Sequence, residues 1–166
     1  MERLWSPWRL AYVSSVEQPP CVFCHALEAE REAPLLLFRG ESCFIVLNLY
    51  PYNNGHLMVV PNRHFATLAE ATAEELAELM TLARRSEIAL GEVYHPHGLN
   101  LGMNVGRPAG AGVAEHVHLH VVPRWTGDTN FMTTIGDVRV LPESMEQTAD
   151  RLRPVFERLA ARSVSR

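Results

Sequence analysis

Short apolar segments bounded by turn residues dominate the first part of the chain and predict a β-sheet. Residues 35–38 and 43–47 are predicted to be two strands, and the polar turn at 39–41 joins them as a hairpin. Residues 56–60 and 99–104 have the same apolar character, and turn-rich loops separate them from their neighbours. Four strands are therefore expected before residue 105.

Two longer segments have the periodicity of helices. Thr72 and Glu75 form a capping box, which predicts a helix that begins at this point and ends near Gly91. The apolar residues at helical spacing are expected to form a face buried in the core. They are Leu76, Leu79, Met80, Ala83, Ile88 and Leu90. Residues 143–162 are predicted to be a C-terminal helix, which Pro154 is expected to kink or break.

Three histidines alternate with apolar residues at His116, His118 and His120, the period-two pattern of a strand with one buried face. Their imidazoles are expected to point to the same side, about 6.7 Å apart along the strand. Buried histidines need polar partners, so this pattern favours chemistry over a purely structural strand. The outer pair would lie about 13 Å apart, too far for one metal ion to bind all three. The middle histidine is therefore the best placed for catalysis.

The composition excludes several classes of function. With 166 residues, 47% hydrophobic and 20% charged, the chain is expected to form one globular domain, residues 1–166. The net charge of −4 gives no indication of a nucleic-acid-binding surface. All 15 basic residues are arginine, which excludes Schiff-base chemistry and a lysine-containing phosphate loop.

The location and the N-terminus are predicted from the same composition. No apolar run has the length of a membrane span, and the charged start is not that of a signal peptide. A cytoplasmic protein that does not bind membranes is therefore expected. Residues 1–20 are predicted to be an N-terminal arm whose tryptophans dock on the core or on a second subunit.

Cys21 and Cys24 form a C-x-x-C pair, and His25 extends it to the haem-attachment pattern C-x-x-C-H. Haem attachment of this kind requires export. Because the start of the chain does not have the pattern of a signal peptide, haem is a poor explanation of this motif. Three alternatives stay open: a redox disulfide, two inert core thiols, or half of a zinc site. Two thiolates do not complete a tetrahedral site, so zinc would require two further ligands.

A glycine-rich loop at residues 106–112 leads directly into the histidine segment. Glycines let backbone N–H groups approach phosphate oxygens closely, which provides anion binding without lysine. An imidazole next to such a loop is largely neutral at pH 7 and can attack phosphorus, while a neighbouring histidine assists the departing phosphate.

The segment from His116 to Val122 resembles the signature of the histidine-triad (HIT) family, in which three histidines alternate with apolar residues. Residues 47–61 and Asn104 with the glycine loop are similar to the nucleotide-binding segments of that family. Residues 50–56 and 123–131 resemble the branch that contains diadenosine tetraphosphate phosphorylases and ATP adenylyltransferases. The resemblance covers nearly the whole chain.

The resemblance implies a fold and an activity. The fold would be α+β, a mainly antiparallel sheet with one long central helix and a C-terminal helix, commonly in a homodimer. His118 would attack the α-phosphorus and carry a covalent adenylyl group, and His120 would contact the phosphate and assist the leaving group, with His116 the first catalytic histidine. Asn48 would bind the ribose hydroxyls. The phosphate path would be lined by Asn104, Gly110, Ala111, Gly112 and His120.

One position departs from the pattern of many hydrolytic members, which have glutamine four residues before the first histidine. Gly112 occupies this position, and the space it leaves favours inorganic phosphate over water as the acceptor. The expected reaction is therefore diadenosine tetraphosphate plus phosphate giving ADP and ATP, with no organic cofactor. The alternatives are a HIT-type hydrolase or nucleoside phosphoramidase, a metal-dependent hydrolase that uses two of the histidines, and a zinc-stabilised nucleotide-binding or interaction protein without significant catalysis.

The resemblance also implies ligands for zinc, because some HIT proteins bind structural zinc through a C-x-x-C pair and two histidines. The matching residues here are Cys21, Cys24, His64 and His116, a closed set of the structural kind. The alternative is that His64 caps the following helix and the thiols pack in the core.

Three residues have no assigned role. Arg107 and Arg124 could each contact phosphate, and the alternative for both is a solvated or ion-paired arginine. Trp125 either stacks on a base or supports a dimer contact.

Overall fold

Five antiparallel strands form one sheet. The computed structural model describes residues 21–29, 34–130, 132, 135 and 141–163. The strands are β1 (Leu36–Arg39), β2 (Cys43–Leu47), β3 (Leu57–Pro61), β4 (Gly98–Met103) and β5 (Leu119–Arg124). Their order in the sheet is β1-β2-β3-β5-β4, and all neighbours are antiparallel. The predicted hairpin, the strands near residues 56–60 and 99–104, and the α+β class are confirmed.

Helices cover both faces of the sheet, and α2 (Ala73–Tyr94) and α3 (Met145–Ser163) pack on the same face. Alternate strand residues meet them in a continuous core. It includes Ile45, Leu47, Leu57, Val59, Leu119, Val121, Leu82, Leu90, Leu152 and Phe156. On the opposite face, α1 (Val22–Glu28) inserts Phe23 into a smaller cluster. This cluster contains Phe44, Val46, Met58 and Val60. β2 and β3 are buried on both sides as a result.

The long helix α2 confirms its predicted start but corrects two other predictions. Thr72 and Glu75 form the capping box, while the helix continues past Gly91 to Tyr94. Leu76 and Met80, which were predicted to be core, are 38% and 58% exposed. The buried side of the helix instead includes four residues outside the predicted set, which are Glu75, Leu82, Ser86 and Ala89. The apolar stripe in the sequence is wider than the surface that the sheet can cover.

The C-terminal helix is not broken at Pro154, because α3 runs from Met145 to Ser163 with the proline inside it. Pro154 lies on the exposed side of the helix, and so does Asp150, whose carbonyl loses its helical partner. That carbonyl can bind water instead, which explains why the helix tolerates the proline. The predicted arm at residues 1–20 lies outside the described residues.

The strand predicted for the histidine segment begins later than expected. β5 starts at Leu119, where Leu119 pairs with Val59 and His120 with Met58. The preceding Val117 donates its backbone N–H to the carbonyl of Phe65, which lies in a loop and not in the sheet. In the described part of the chain, no helix combines the length and hydrophobicity that crossing a bilayer would require.

Candidate active site and metal-binding group

A cavity of about 430 Å³ opens on the α1 side of the sheet. Its walls come from α1, from the first two strands, from the loop after β2 and from the glycine-rich loop. The cavity brings together six of the predicted site residues, which are Asn48, Asn104, Gly110, Gly112, His118 and His120. Ala111 and His116 are buried, and neither belongs to the cavity wall as the described residues define it. Mostly apolar walls with a few convergent polar groups suit a nucleoside attached to phosphate.

His118 has a defined tautomer because its Nδ1 lies 2.9 Å from the carbonyl oxygen of His116. A carbonyl can only accept, so Nδ1 carries the proton and Nε2 keeps its lone pair. Burial lowers the pKa of His118 below its ordinary value, which keeps the ring neutral. The ring of Phe23 packs against it, with centroids 4.9 Å apart. A neutral, fixed imidazole with a lone pair on Nε2 can act as a nucleophile.

His120 lies between His118 and a fourth histidine, His56. The ring centroids of His118 and His120 are 4.8 Å apart, and Nε2 of His56 is 2.9 Å from Nδ1 of His120. His56 is completely buried, and burial, followed by the neighbouring His120, lowers its pKa to about 3. His56 is not among the site residues predicted from the sequence. Its only signal was an imidazole directly before an otherwise apolar strand.

Asn48 and two tyrosines complete the polar side of the cavity. The side-chain oxygen of Asn48 accepts the backbone N–H of Tyr50 at 2.9 Å, and its Nδ2 lies 3.3 Å from Nδ1 of His56. The ring of Tyr52 lies 4.8 Å from that of His56 and 6.0 Å from that of His120. Asn48 is thus fixed at the cavity wall with its amide oriented by the backbone.

Cys21, Cys24, His64 and His116 come together beside the cavity, with one ligand atom from each within 4.8 Å of the others. Nδ1 of His116 is 3.3 Å from the sulfur of Cys21 and 3.7 Å from that of Cys24, which lies 3.4 Å from Nδ1 of His64. Tetrahedral zinc with sulfur and nitrogen ligands places those atoms about 3.5 Å apart. The spacing therefore fits a metal ion of this kind.

The protonation of His116 also suits a metal ligand. Its Nε2 lies 2.9 Å from the carbonyl oxygen of Pro61 and so carries the proton, which leaves the lone pair of Nδ1 facing the thiols. Burial lowers its pKa and keeps it neutral. Both cysteines are free, so they do not form the redox disulfide considered above. Thr67, and not His64, caps the short 3-10 helix that follows.

The three residues without an assigned role, Arg107, Arg124 and Trp125, lie outside the wall of this cavity. Arg124 forms an ion pair with Asp128 at 2.6 Å and donates to Asn100, and the guanidinium holds the pKa of the Asp128 carboxyl well below its usual range. The intramolecular alternative for Arg124 is therefore the observed one. Arg107 is exposed and Trp125 is partly buried, and neither belongs to the cavity wall.

Comparisons with known proteins agree with this geometry. The HIT domain family profile matches residues 30–127. The chain is 42% identical over 157 residues to the AP-4-A phosphorylase of Mycobacterium tuberculosis, and the alignment covers 89% of this chain and 80% of that protein. It is 31% identical over 128 residues to a bis(5'-adenosyl)-triphosphatase of Dictyostelium discoideum, covering 74% and 85% respectively. A Zn-bound histidine triad family protein from Mycobacterium smegmatis has a similar structure, with a TM-score of 0.69, 29% identity, and coverage of 85% and 96%.

Lowering the pH from 7 to 5 is expected to destabilise the fold through His56. Its pKa in the folded protein is about 3, whereas an unfolded histidine has a pKa near 6.5, so in this interval only the unfolded state takes up the proton. The contribution to stability is complete above pH 6.5 and is lost as the pH falls, by about 2 kcal/mol at pH 5. Urea unfolding at both pH values measures this loss.

The control is a His56→Gln variant, which has no titratable group at this position. Its free energy of unfolding should fall by about 2 kcal/mol less than that of the wild type between the two pH values. The lowered pKa of His118 acts in the same direction in both proteins and cancels in the comparison. Equal losses in the two proteins would contradict the prediction.

Proposed function

Because this chain belongs to the histidine-triad (HIT) family, we propose that it is an enzyme that cleaves dinucleoside polyphosphates by transferring an adenylyl group to His118. The observation that carries the proposal is the tautomer of His118, a residue of the cavity wall whose proton is on Nδ1 and whose lone pair is on Nε2. The names of two relatives, an AP-4-A phosphorylase and a bis(5'-adenosyl)-triphosphatase, support this class of substrate.

The reaction would proceed in two displacements at the same phosphorus. Nε2 of His118 attacks the α-phosphorus of diadenosine tetraphosphate, a nitrogen–phosphorus bond forms, and the bond to the bridging oxygen breaks to release ATP. His120 stabilises the departing oxygen by hydrogen bonding. Inorganic phosphate then attacks the adenylyl-histidine, the nitrogen–phosphorus bond breaks, and ADP is released with His118 restored.

The remaining cavity residues would bind and orient the substrate. Asn48 would contact the ribose hydroxyls, and the backbone N–H groups of Gly110, Ala111 and Gly112, together with the side chain of Asn104, would line the phosphate path. Gly110 has φ +97°, a conformation that favours glycine, and it lines the same cavity as His118 and His120. The apolar side of the cavity, which includes Phe23, is suited to a purine base.

We further propose that Cys21, Cys24, His64 and His116 hold a structural zinc ion. All four positions are protein side chains, so the site has no open coordination position and the ion would stabilise the fold without entering the reaction. A Zn-bound relative of similar structure supports the choice of metal. The homodimer and the cytoplasmic location stay predictions.

Product analysis with diadenosine tetraphosphate tests the reaction class. ADP plus ATP is expected, and only when inorganic phosphate is present. AMP plus ATP independent of phosphate would mean that water is the acceptor. His118→Ala should lower turnover by on the order of 10³-fold or more, whereas His97→Ala, outside the cavity wall, should not. No turnover by the wild type with this substrate or with smaller adenylates would favour the binding-protein alternative.

Substituting glutamine for Gly112 tests why phosphate would be preferred. Gly112 lies in the cavity wall, and it is not among the glycines with positive φ, so the backbone can accept a side chain there. Gly112→Gln is expected to raise the ratio of AMP to ADP by about tenfold at fixed phosphate, because the amide fills the acceptor space. Ala109→Gln, in the same loop but outside the wall, is the control. Full phosphate dependence in Gly112→Gln would refute the explanation.

Removing one thiol tests the metal proposal. Protein purified without chelator should contain about one zinc per chain, and Cys24→Ser should lose the metal and lower the melting temperature by about 5–10 °C. The control is His25→Ala, which changes a neighbouring residue of α1 outside the four-residue group. This variant should retain the zinc and the melting temperature of the wild type. Elemental analysis and thermal unfolding are the measurements. Wild-type protein without zinc would contradict the proposal.

A further inference from the structure

A second cavity, of about 420 Å³, adjoins the first cavity described above. The two cavities share three wall residues, Tyr52, Asn104 and His120, so they meet where the leaving group of the proposed reaction would begin. We infer that the second cavity binds the departing nucleoside polyphosphate, whereas the first cavity binds the adenylyl group that is transferred. The inference rests on the proposed function and extends it to the other half of the substrate.

The second cavity lies on the part of the sheet that α1 leaves open. Leu119 and Val121 of β5 belong to the core under α2 and α3, so the alternating residues His120, Val122 and Arg124 point to the opposite face, the one that carries α1. On that face α1 packs over β2 and β3. In the part of the chain that the structure describes, the neighbouring strands β5 and β4 form the floor of the second cavity.

The floor of the second cavity has no side chain directly beside His120. Gly102 pairs with His120, and Asn100 pairs with Val122, so both β4 residues lie on this face of the sheet. Both are exposed. A Cβ atom built on Gly102 would meet no other atom within 4 Å. The glycine therefore leaves room for a chain of phosphates to pass His120.

Arg124 supplies the positive charge of the second cavity, about 13 Å along β5 from His120. Asp128 accepts from its Nε and Nη2, and Asn100 accepts from its Nη1. A guanidinium has five N–H groups, so these contacts with described residues leave one on each terminal nitrogen. The side chain of Arg124 is 45% exposed and that of Asp128 is 11% exposed. The ion pair thus holds the guanidinium in place, and the cation is its accessible member.

This arrangement separates the cation from the attacking atom. In an in-line displacement the departing oxygen lies on the far side of the phosphorus from Nε2 of His118, and in the proposed reaction it lies beside His120. The phosphates that follow this oxygen extend over Gly102 towards Arg124, whose N–H groups bind the terminal part of the chain. The cation stabilises the released polyphosphate without competing for the lone pair of His118.

Binding measured by calorimetry tests the inference without turnover. All proteins carry His118→Ala, and each is titrated with AMP, which fills the first cavity alone, and with diadenosine tetraphosphate, which requires both. We expect the dinucleotide to bind more tightly than AMP. Arg124→Gln should reduce this advantage by about tenfold. Gly102→Val should reduce it by about as much, because its branched side chain suits a strand but fills the floor. AMP affinity should change by less than about twofold in both.

Two control variants separate the second cavity from a general disturbance of the sheet. Asp128→Asn removes the same ion pair as Arg124→Gln but keeps the cation. Gly98→Val adds the same side chain as Gly102→Val to the same face of β4, outside both cavity walls. Both controls should retain the advantage of the dinucleotide over AMP. If Gly102→Val does not fold, the comparison of Arg124→Gln with Asp128→Asn decides.

The outcomes distinguish this inference from the proposed function. An undiminished advantage in Arg124→Gln or in folded Gly102→Val, or an equal loss of AMP binding, would overturn the inference. The same holds if diadenosine tetraphosphate binds no better than AMP to the reference protein. A wild type that transfers no adenylyl group, although the advantage of the dinucleotide depends on Arg124 and Gly102, would refute the proposed function and leave the second cavity as a polyphosphate-binding site.

Discussion

The carbonyl oxygens of Pro61 and His116 set how the histidines of this site can act. Each oxygen accepts an N–H from an imidazole, 2.9 Å from Nε2 of His116 and from Nδ1 of His118 respectively. The opposite nitrogen of each ring therefore keeps its lone pair. In His116 this is Nδ1, which faces the thiols, and in His118 it is Nε2, in a residue of the cavity wall. Pro61 is held in β3, and Val117 is held by Phe65, so the backbone fixes these tautomers. The chemistry depends on the fold through these two oxygens.

The metal-binding group and the cavity are connected through α1. This helix has only seven residues and no side-chain N-cap, and helices so short are not stable alone in water. Its anchors are Cys21 and Cys24, which contact His116, and Phe23, whose ring lies 5.5 Å from His116 and 4.9 Å from His118. The same helix forms one wall of the cavity. The position of that wall therefore depends on the contacts between thiols and imidazoles.

Short sequence patterns predicted the elements of this fold that depend on turn and helix-capping preferences. The hairpin at residues 35–47 and the capping box at Thr72 follow from turn and capping preferences, and they are present. The motif resemblance identified four residues from three distant segments that the structure brings together. The contact of His56 with His120 could not be predicted, because it spans 64 positions and depends on β3 pairing with β5. The exposure of Met80 likewise depends on how much of α2 the sheet covers.

The absence of lysine from the sequence limits how this site could bind phosphate. The cavity wall, as far as the structure describes it, contains no arginine either, and burial keeps His118 neutral. In the proposed reaction a substrate phosphate in this cavity would therefore be bound by backbone N–H groups of the glycine-rich loop and by the side-chain amide of Asn104, which are dipoles and not full charges. A cation next to His118 would attract phosphate more strongly, but it would also compete for the lone pair that is proposed to attack phosphorus. Neutral donors of this kind would bind the anion and leave the lone pair of His118 free of a proton.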